Sequence, residues 1–107
     1  MKKRIYLLST LLSVLGFLFA HPALSAEADL VKAEKVYKRS CATCHGKQGE
    51  KPAMGESKII NQLKPEEIST ALSERKAGNI PSAGSPAKQR LSEQDIHNLS
   101  EYIQTLK

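Results

Sequence analysis

The sequence predicts an all-α fold of three to five short helices, and three observations predict it. Apolar and small residues return at three- and four-residue steps in the stretches 29–41, 65–78 and 92–106, the period of a helix with one buried face. Start and stop signals bracket those stretches. Between them no run reads as a strand. At 107 residues the chain is one domain at most.

The first helix is expected from Asp29 to Cys41. Leu30, Ala33, Val36 or Tyr37, and Cys41 share one face, while Lys32, Lys35, Lys38 and Arg39 fall largely off it. Asp29 is placed to cap its N-terminus. From Gly46 to about Gln62 the chain reads as loop, broken by Gly46, Gly49, Pro52 and Gly55, with room for a helical turn or two between Ser57 and Leu63. Pro65-Glu66-Glu67 opens the next helix. Proline suits the first helical position, and the carboxylates suit the positive end of the dipole. Ile68, Ala71 and Leu72 are its inward residues and Gly78 its stop.

Asn79 to Pro86 is rich in breakers and reads as loop. The last helix carries the fullest set of signals. Ser92-Glu93-Gln94-Asp95 is a capping box with Asp in place of the usual Glu or Gln, and Leu91 with Ile96 forms a hydrophobic staple across it. Ile96, Leu99, Tyr102 or Ile103, and Leu106 make the apolar face.

Where the first helix ends stands Ser40-Cys41-Ala42-Thr43-Cys44-His45-Gly46. This is C-x-x-C-H, the attachment signature of a c-type haem. Two thiols at this spacing add across the two vinyl groups of one haem c and form thioethers. The adjacent imidazole of His45 then serves as the proximal axial ligand of the iron. Cys41 and Cys44 are the only cysteines in the chain. A thioredoxin-like dithiol is expected beside a βαβ pattern, which is not legible here. A structural zinc site needs four ligands, and only His21 and His97 remain to supply them.

The beginning of the chain reads as a secretory signal, residues 1–26. Lys2, Lys3 and Arg4 form the charged region, Ile5 to Ala20 the apolar region, and Ala26-Glu27-Ala28 a cleavage site, with the cut after Ala26 or Ala28. An uncleaved anchor is the competing reading, but the apolar run is short of the roughly 20 residues a membrane span needs. Export fits the motif, because haem c is attached outside the cytoplasm, and it implies a periplasmic location. Sixteen basic residues stand against 11 acidic ones; without Lys2, Lys3 and Arg4 the balance is 13 against 11. No cluster of Lys and Arg with interleaved aromatics occurs, so nucleic-acid binding is set aside. After the signal the aromatics are Tyr37 and Tyr102 alone. A chain this short builds a marginal core by itself, and a covalently held haem would staple it.

In its order of helix, motif, loop, helix, loop and helix, residues 27–107 resemble the small bacterial single-haem class I cytochromes c. Tyr37, four residues before Cys41, matches that family's aromatic, which packs on the last helix. Ala33 falls where the family often has Gly at the helix crossing. Residues 91–96 and 99–103 look like the family's terminal helix, with Tyr102 at its aromatic position. The resemblance implies the class I cytochrome c fold, with three to five short helices wrapped around one covalent haem. It also implies a monomeric electron-transfer protein, not an enzyme, whose partners are periplasmic or membrane-bound redox proteins. Lys47, Lys51 and Lys58 would ring the haem edge and steer an acidic partner, although solvated surface lysines look the same.

One departure matters. In that family the sixth iron ligand is usually a Met in the loop before the last helix, and here no Met, His or Cys lies between Gly78 and Leu91. Met54 is the thioether candidate; Lys88 is near the right place but must lose its proton to bind iron; His97 reads as a surface residue. An open iron position would suit a second function, binding a small ligand such as CO, NO or peroxide. A third reading is a subunit-type cytochrome whose partner supplies the missing group. N-terminal sequencing of the exported protein is expected to begin at Glu27 or Asp29. A membrane-bound chain that keeps residues 1–20 would return the anchor reading.

Overall fold

Helix α1 (Leu30–Ser40) begins just after Asp29, whose backbone is extended and whose carboxylate accepts the Lys32 N–H at 2.9 Å, as an N-cap does. The computed structural model describes residues 27–107, together with Gly16; the secretory signal read over 1–26 otherwise lies outside the described residues. Cys41 closes α1 by donating its N–H to Tyr37 O at 2.8 Å, and one further turn, α2 (Ala42–His45), follows directly. Two single 3-10 turns, Ala53–Gly55 and Ile60–Gln62, punctuate the next loop. The second is the helical turn expected between Ser57 and Leu63.

Helix α3 (Pro65–Lys76) starts on the predicted proline, and the Glu67 carboxylate accepts the Lys64 N–H at 2.8 Å. At its other end Gly78 N–H bonds Arg75 O at 3.2 Å and Asn79 N–H bonds Glu74 O at 3.0 Å, the paired closure of a Schellman motif. The loop read over Asn79–Pro86 is shorter than expected, because a helix, α4 (Ser85–Gln89), begins inside it. Pro86 lies in that helix's first turn, where the missing N–H costs nothing, so a residue read as a breaker is a starter. In α5 (Glu93–Gln104) the capping box is reciprocal: Ser92 Oγ accepts from Asp95 N and the Asp95 carboxylate accepts from Ser92 N, both at 3.0 Å. Among the described residues there is no strand, as predicted.

Helix α5 is the centre. It packs against α1 on one flank and α3 on the other, while α4 rests on α3 and α2 on α1. The buried apolar residues are Ala33, Tyr37, Ile68, Leu91, Ile96, Leu99 and Ile103. The α5 face and the staple are therefore as expected, with Tyr102 and Leu106 half-buried at its edge. On α3 only Ile68 is fully buried; Ala71 and Leu72 stay half-covered. Ala33 is 1% exposed at the α1–α5 crossing, where a methyl group lets the helices close.

The Tyr37 ring is fully buried and stands 5.6 Å from that of Tyr102 at 55°, a favourable tilted pair. Its hydroxyl donates to Gly46 O at 2.7 Å, and burial pushes its pKa up to about 12. Polar ties complete the α1–α5 joint. Buried Asn98 accepts the Asp29 N–H at 3.0 Å and Gln94 Nε2 at 2.8 Å, and Lys32 Nζ pairs with Asp95 Oδ1 at 2.8 Å. Gln104 Nε2 reaches Leu63 O at 2.6 Å and pins the chain ahead of α3.

Two predictions follow from this joint. The hydrogen bond from Lys32, with the Ser92 backbone, holds the Asp95 carboxyl at about 2, below its ordinary 3.8. A depressed carboxylate pKa stabilises the fold above the unfolded value, and that contribution is lost as pH falls through the folded one. Asp95→Ala should therefore lower stability by about 1 kcal/mol at neutral pH, and the gap from wild type should narrow as pH drops from 3.8 to about 2. Urea titrations across that range test this; a gap independent of pH argues against it. Tyr37→Phe keeps the ring but leaves Gly46 O with only the longer bond from Gly49 N–H, 3.3 Å, at a cost of about 1 kcal/mol, read from the same titrations at pH 7. An unchanged midpoint would mean that the hydroxyl carries no weight.

Candidate functional site

One helical turn assembles the candidate groups. Cys44 N–H bonds Cys41 O at 3.2 Å and His45 N–H bonds Cys41 O at 3.0 Å. Positions i, i+3 and i+4 share a helix face, so the two thiols and the imidazole are presented together. Gly46 N–H closes the turn on Ala42 O at 2.8 Å.

The thiols are unbridged, with Cys41 half-buried and Cys44 exposed. Burial, with Cys44 adding to it and Lys88 opposing, pushes the Cys41 thiol up to about 11. A redox dithiol or a zinc ligand needs an easily formed thiolate, and Cys41 has the opposite setting. It is an apolar-lodged, neutral S–H. Among the described residues no group of three or more His, Cys, Asp and Glu side chains is gathered to hold a metal ion on its own.

The His45 imidazole is half-buried, and its Nδ1 is enclosed without a hydrogen-bond partner. Burial lowers its pKa first, the charges of Lys88 and Arg75 add to that, and the Lys51 backbone pulls the other way. The result is a neutral imidazole, the form a metal accepts. The following loop is folded tightly beside it. Lys51 N–H bonds His45 O at 2.9 Å, Asn61 N–H bonds Gly49 O at 3.2 Å and Asn61 Nδ2 bonds Gln48 O at 2.9 Å. Gly46 takes φ +85°, where a Cβ would run into the Glu50 carboxylate, so the tyrosine tie, the loop and the imidazole meet at a position that only glycine fills.

A second tier of apolar residues, Val36, Cys41, Ala42, Ile60, Leu63 and Leu72, leans on the core without being buried by it. This half-covered apolar surface beside a neutral imidazole and two addition-ready thiols fits a haem. Other residues singled out from sequence lie apart. Met54 is 77% exposed at a left-handed backbone position, in a turn that packs against α2, the element carrying His45 itself. His97 is exposed on α5, as its place after Ile96 implied. Lys47, Lys51 and Lys58 are exposed around the loop after the motif. Two clefts of about 430 and 750 Å³ border α5, both lined by His97 and Glu101, and neither touches residues 41–45.

Sequence reasoning missed two features. The Tyr37 hydroxyl bond joins residues nine apart, and no local pattern announces it. Lys88 and Arg75 project their charge onto the motif from α4 and α3, a meeting made by packing alone.

Comparison with known proteins agrees with this geometry. Residues 28–103 match the family described as cytochrome c oxidase, cbb3-type, subunit III. Cytochrome c-553 of Helicobacter pylori is similar in two strains. One is 42% identical over 84 residues, covering 77% of this chain and 86% of that protein. The other is 43% identical over 75 residues, covering 68% and 77%. Cytochrome c-554(547) of Halothiobacillus neapolitanus is 34% identical over 91 residues, covering 74% of this chain and 98% of that protein. With its helical fold, its paired thiols and these relatives, the chain belongs to the cytochrome c family as a small single-haem class I member, whose cofactor is a covalently bound haem c.

Proposed function

We propose that this protein is a periplasmic carrier of single electrons, with its haem c bound through Cys41 and Cys44 and its iron held by His45. The observation that carries the reading is the single turn 41–45, which offers two unbridged thiols and a neutral, half-buried imidazole on one face. Each S–H would add across a vinyl C=C of the porphyrin, sulfur to one carbon and hydrogen to the other, so attachment would need no oxidant. When bound, the haem supplies the one-electron couple.

The chain's own residues do the rest. Tyr37 and the α1–α5 joint hold the turn in place. The 46–51 loop, closed by Lys51 N–H on His45 O at 2.9 Å, fixes the neighbourhood of the imidazole. Burial of Cys41 keeps its thiol protonated until it reacts. The role proposed is carriage rather than catalysis, in keeping with relatives named as cytochromes c-553. The partners are periplasmic or membrane-bound redox proteins. Exposed Lys47, Lys51 and Lys58 beside the motif suit an acidic docking face on them, and the carrier works as a monomer. No helix among the described residues is long and apolar enough to cross a membrane.

The competing reading, an iron site that takes CO, NO or peroxide, rests on the stretch 79–90, which has no Met, His or Cys. Protein matured in a host competent for c-type cytochrome assembly separates the two. After denaturation and acid-acetone extraction the porphyrin is expected to stay with the chain, and to be lost from the Cys41→Ala, Cys44→Ala double variant. Wild type stripped of porphyrin by extraction would sink the attachment. A low-spin ferrous spectrum indifferent to CO supports the carrier; a high-spin one that shifts rapidly with CO supports the ligand-binding protein.

A further inference from the structure

Gly46 is the most crowded point of the loop that follows the motif. Its N–H bonds Ala42 O at 2.8 Å, and its carbonyl accepts the Tyr37 hydroxyl at 2.7 Å and the Gly49 N–H at 3.3 Å. The remaining side of the residue, its α-carbon, is faced by a charge. A Cβ built there would run into both oxygens of the Glu50 carboxylate, so that group lies directly against the Gly46 backbone. One of its oxygens also accepts the Gln48 N–H at 2.9 Å. The side chain is exposed, yet the loop it belongs to tethers it at a fixed place.

That place is next to His45. Consecutive α-carbons stand about 3.8 Å apart, which puts the carboxylate within roughly 8 Å of the His45 α-carbon. The Debye length is about 10 Å at 0.1 M ionic strength, so salt leaves a field of this range standing. Glutamate is ionised at neutral pH. Among the described residues no cation neutralises it: the carboxylates in ion pairs there are Glu34, Glu93 and Asp95. Lys47 and Lys51 are exposed neighbours in the chain, and neither is paired with it.

We propose that the Glu50 carboxylate lowers the reduction potential of the haem, its tethered negative charge beside His45 favouring the oxidised iron. The inference rests on the haem reading given under Proposed function. Reduction brings in one electron and removes one positive charge, so an anion nearby makes that step less favourable. The effect acts through space: no bond changes at Glu50 and no proton moves. From the sequence Glu50 is one more surface acid. Closure of the loop onto Gly46 is what gives its charge a fixed direction.

The test compares holoproteins of wild type, Glu50→Gln, Glu50→Ala and Glu66→Gln, each first shown by acid-acetone extraction to keep its porphyrin. Failure at that step counts against the haem reading, not against Glu50. Midpoint potentials are measured by spectroelectrochemistry in about 0.01 M and about 1 M salt, where the Debye length falls from about 30 Å to about 3 Å. At low salt Glu50→Gln is expected to raise the ferrous-to-ferric ratio at a fixed potential about twofold, a positive shift of about 18 mV at 59 mV per tenfold. In 1 M salt the shift should shrink. Glutamine keeps an oxygen for the Gln48 N–H, so amide exchange there should match wild type. Glu50→Ala should shift the potential the same way and speed that exchange, which reads the lost hydrogen bond apart from the lost charge. Glu66, on α3, lines a cleft that touches none of residues 41–45, and Glu66→Gln should move the potential less than half as far. An unchanged or lowered potential in Glu50→Gln, a shift undiminished in 1 M salt, an equal shift in Glu66→Gln, or faster Gln48 exchange in Glu50→Gln would each overturn the inference.

Discussion

The hydrogen bond from the buried Tyr37 hydroxyl to Gly46 O, 2.7 Å long, joins the two halves of this molecule. On one side of it lies the packed joint of α1 and α5; on the other lies the turn with its two thiols and imidazole. The ring belongs to the core and the hydroxyl to the site, so the stability of the crossing is transmitted to the position of His45. Without it the Gly46 carbonyl would keep only the longer bond from Gly49 N–H, at 3.3 Å, so the tyrosine contact is the shorter of the two that hold this corner.

The core that supports this bond is thin. Among the described residues, Gly46 and Gly49 aside, only Ala33, Tyr37, Ile68, Leu91 and five residues of α5 are fully buried, too little for a chain of this size to rest on alone. The structure compensates with directional ties: the reciprocal cap at Ser92 and Asp95, the Lys32–Asp95 pair, and Asn98 holding the first N–H of the α1 cap. The half-buried tier of Val36, Ala42, Ile60, Leu63 and Leu72 is apolar surface awaiting a cover. A porphyrin attached, as proposed, at Cys41 and Cys44 would be a cover of suitable chemistry, and would then be a structural element as much as a redox one.

Electrostatics around the turn favour neutral donors. Cys41 is raised by burial, and His45 is lowered by burial with Lys88 and Arg75 nearby. Both groups are held in the form that the proposed haem attachment would use, a protonated thiol for addition and an unprotonated imidazole for the iron. The same two shifts are wrong for a dithiol exchanger, which needs a ready thiolate. The distinction between the competing readings of C-x-x-C thus comes from environment as well as spacing.

Local chemistry made much of this protein legible in its sequence. Asp29, Pro65, Gly78 and the Ser92–Asp95 box each set a helix end through contacts within a few residues, and apolar spacing named Ile68, Ile96 and Leu99 as inward. The proposed attachment triad is equally local, since one helical turn suffices to gather it. Pro86 misled because a proline opens a helix as readily as it breaks one. What the tertiary structure alone decided are the meetings of residues distant in the chain. Tyr37 finds a carbonyl nine positions on, Asn98 finds the N–H of Asp29, and Lys88 and Arg75 bring their charge to Cys41 and His45. Those pairings depend on how α1, α3, α4 and α5 pack, and packing is a property of volumes and angles that no short stretch of residues records.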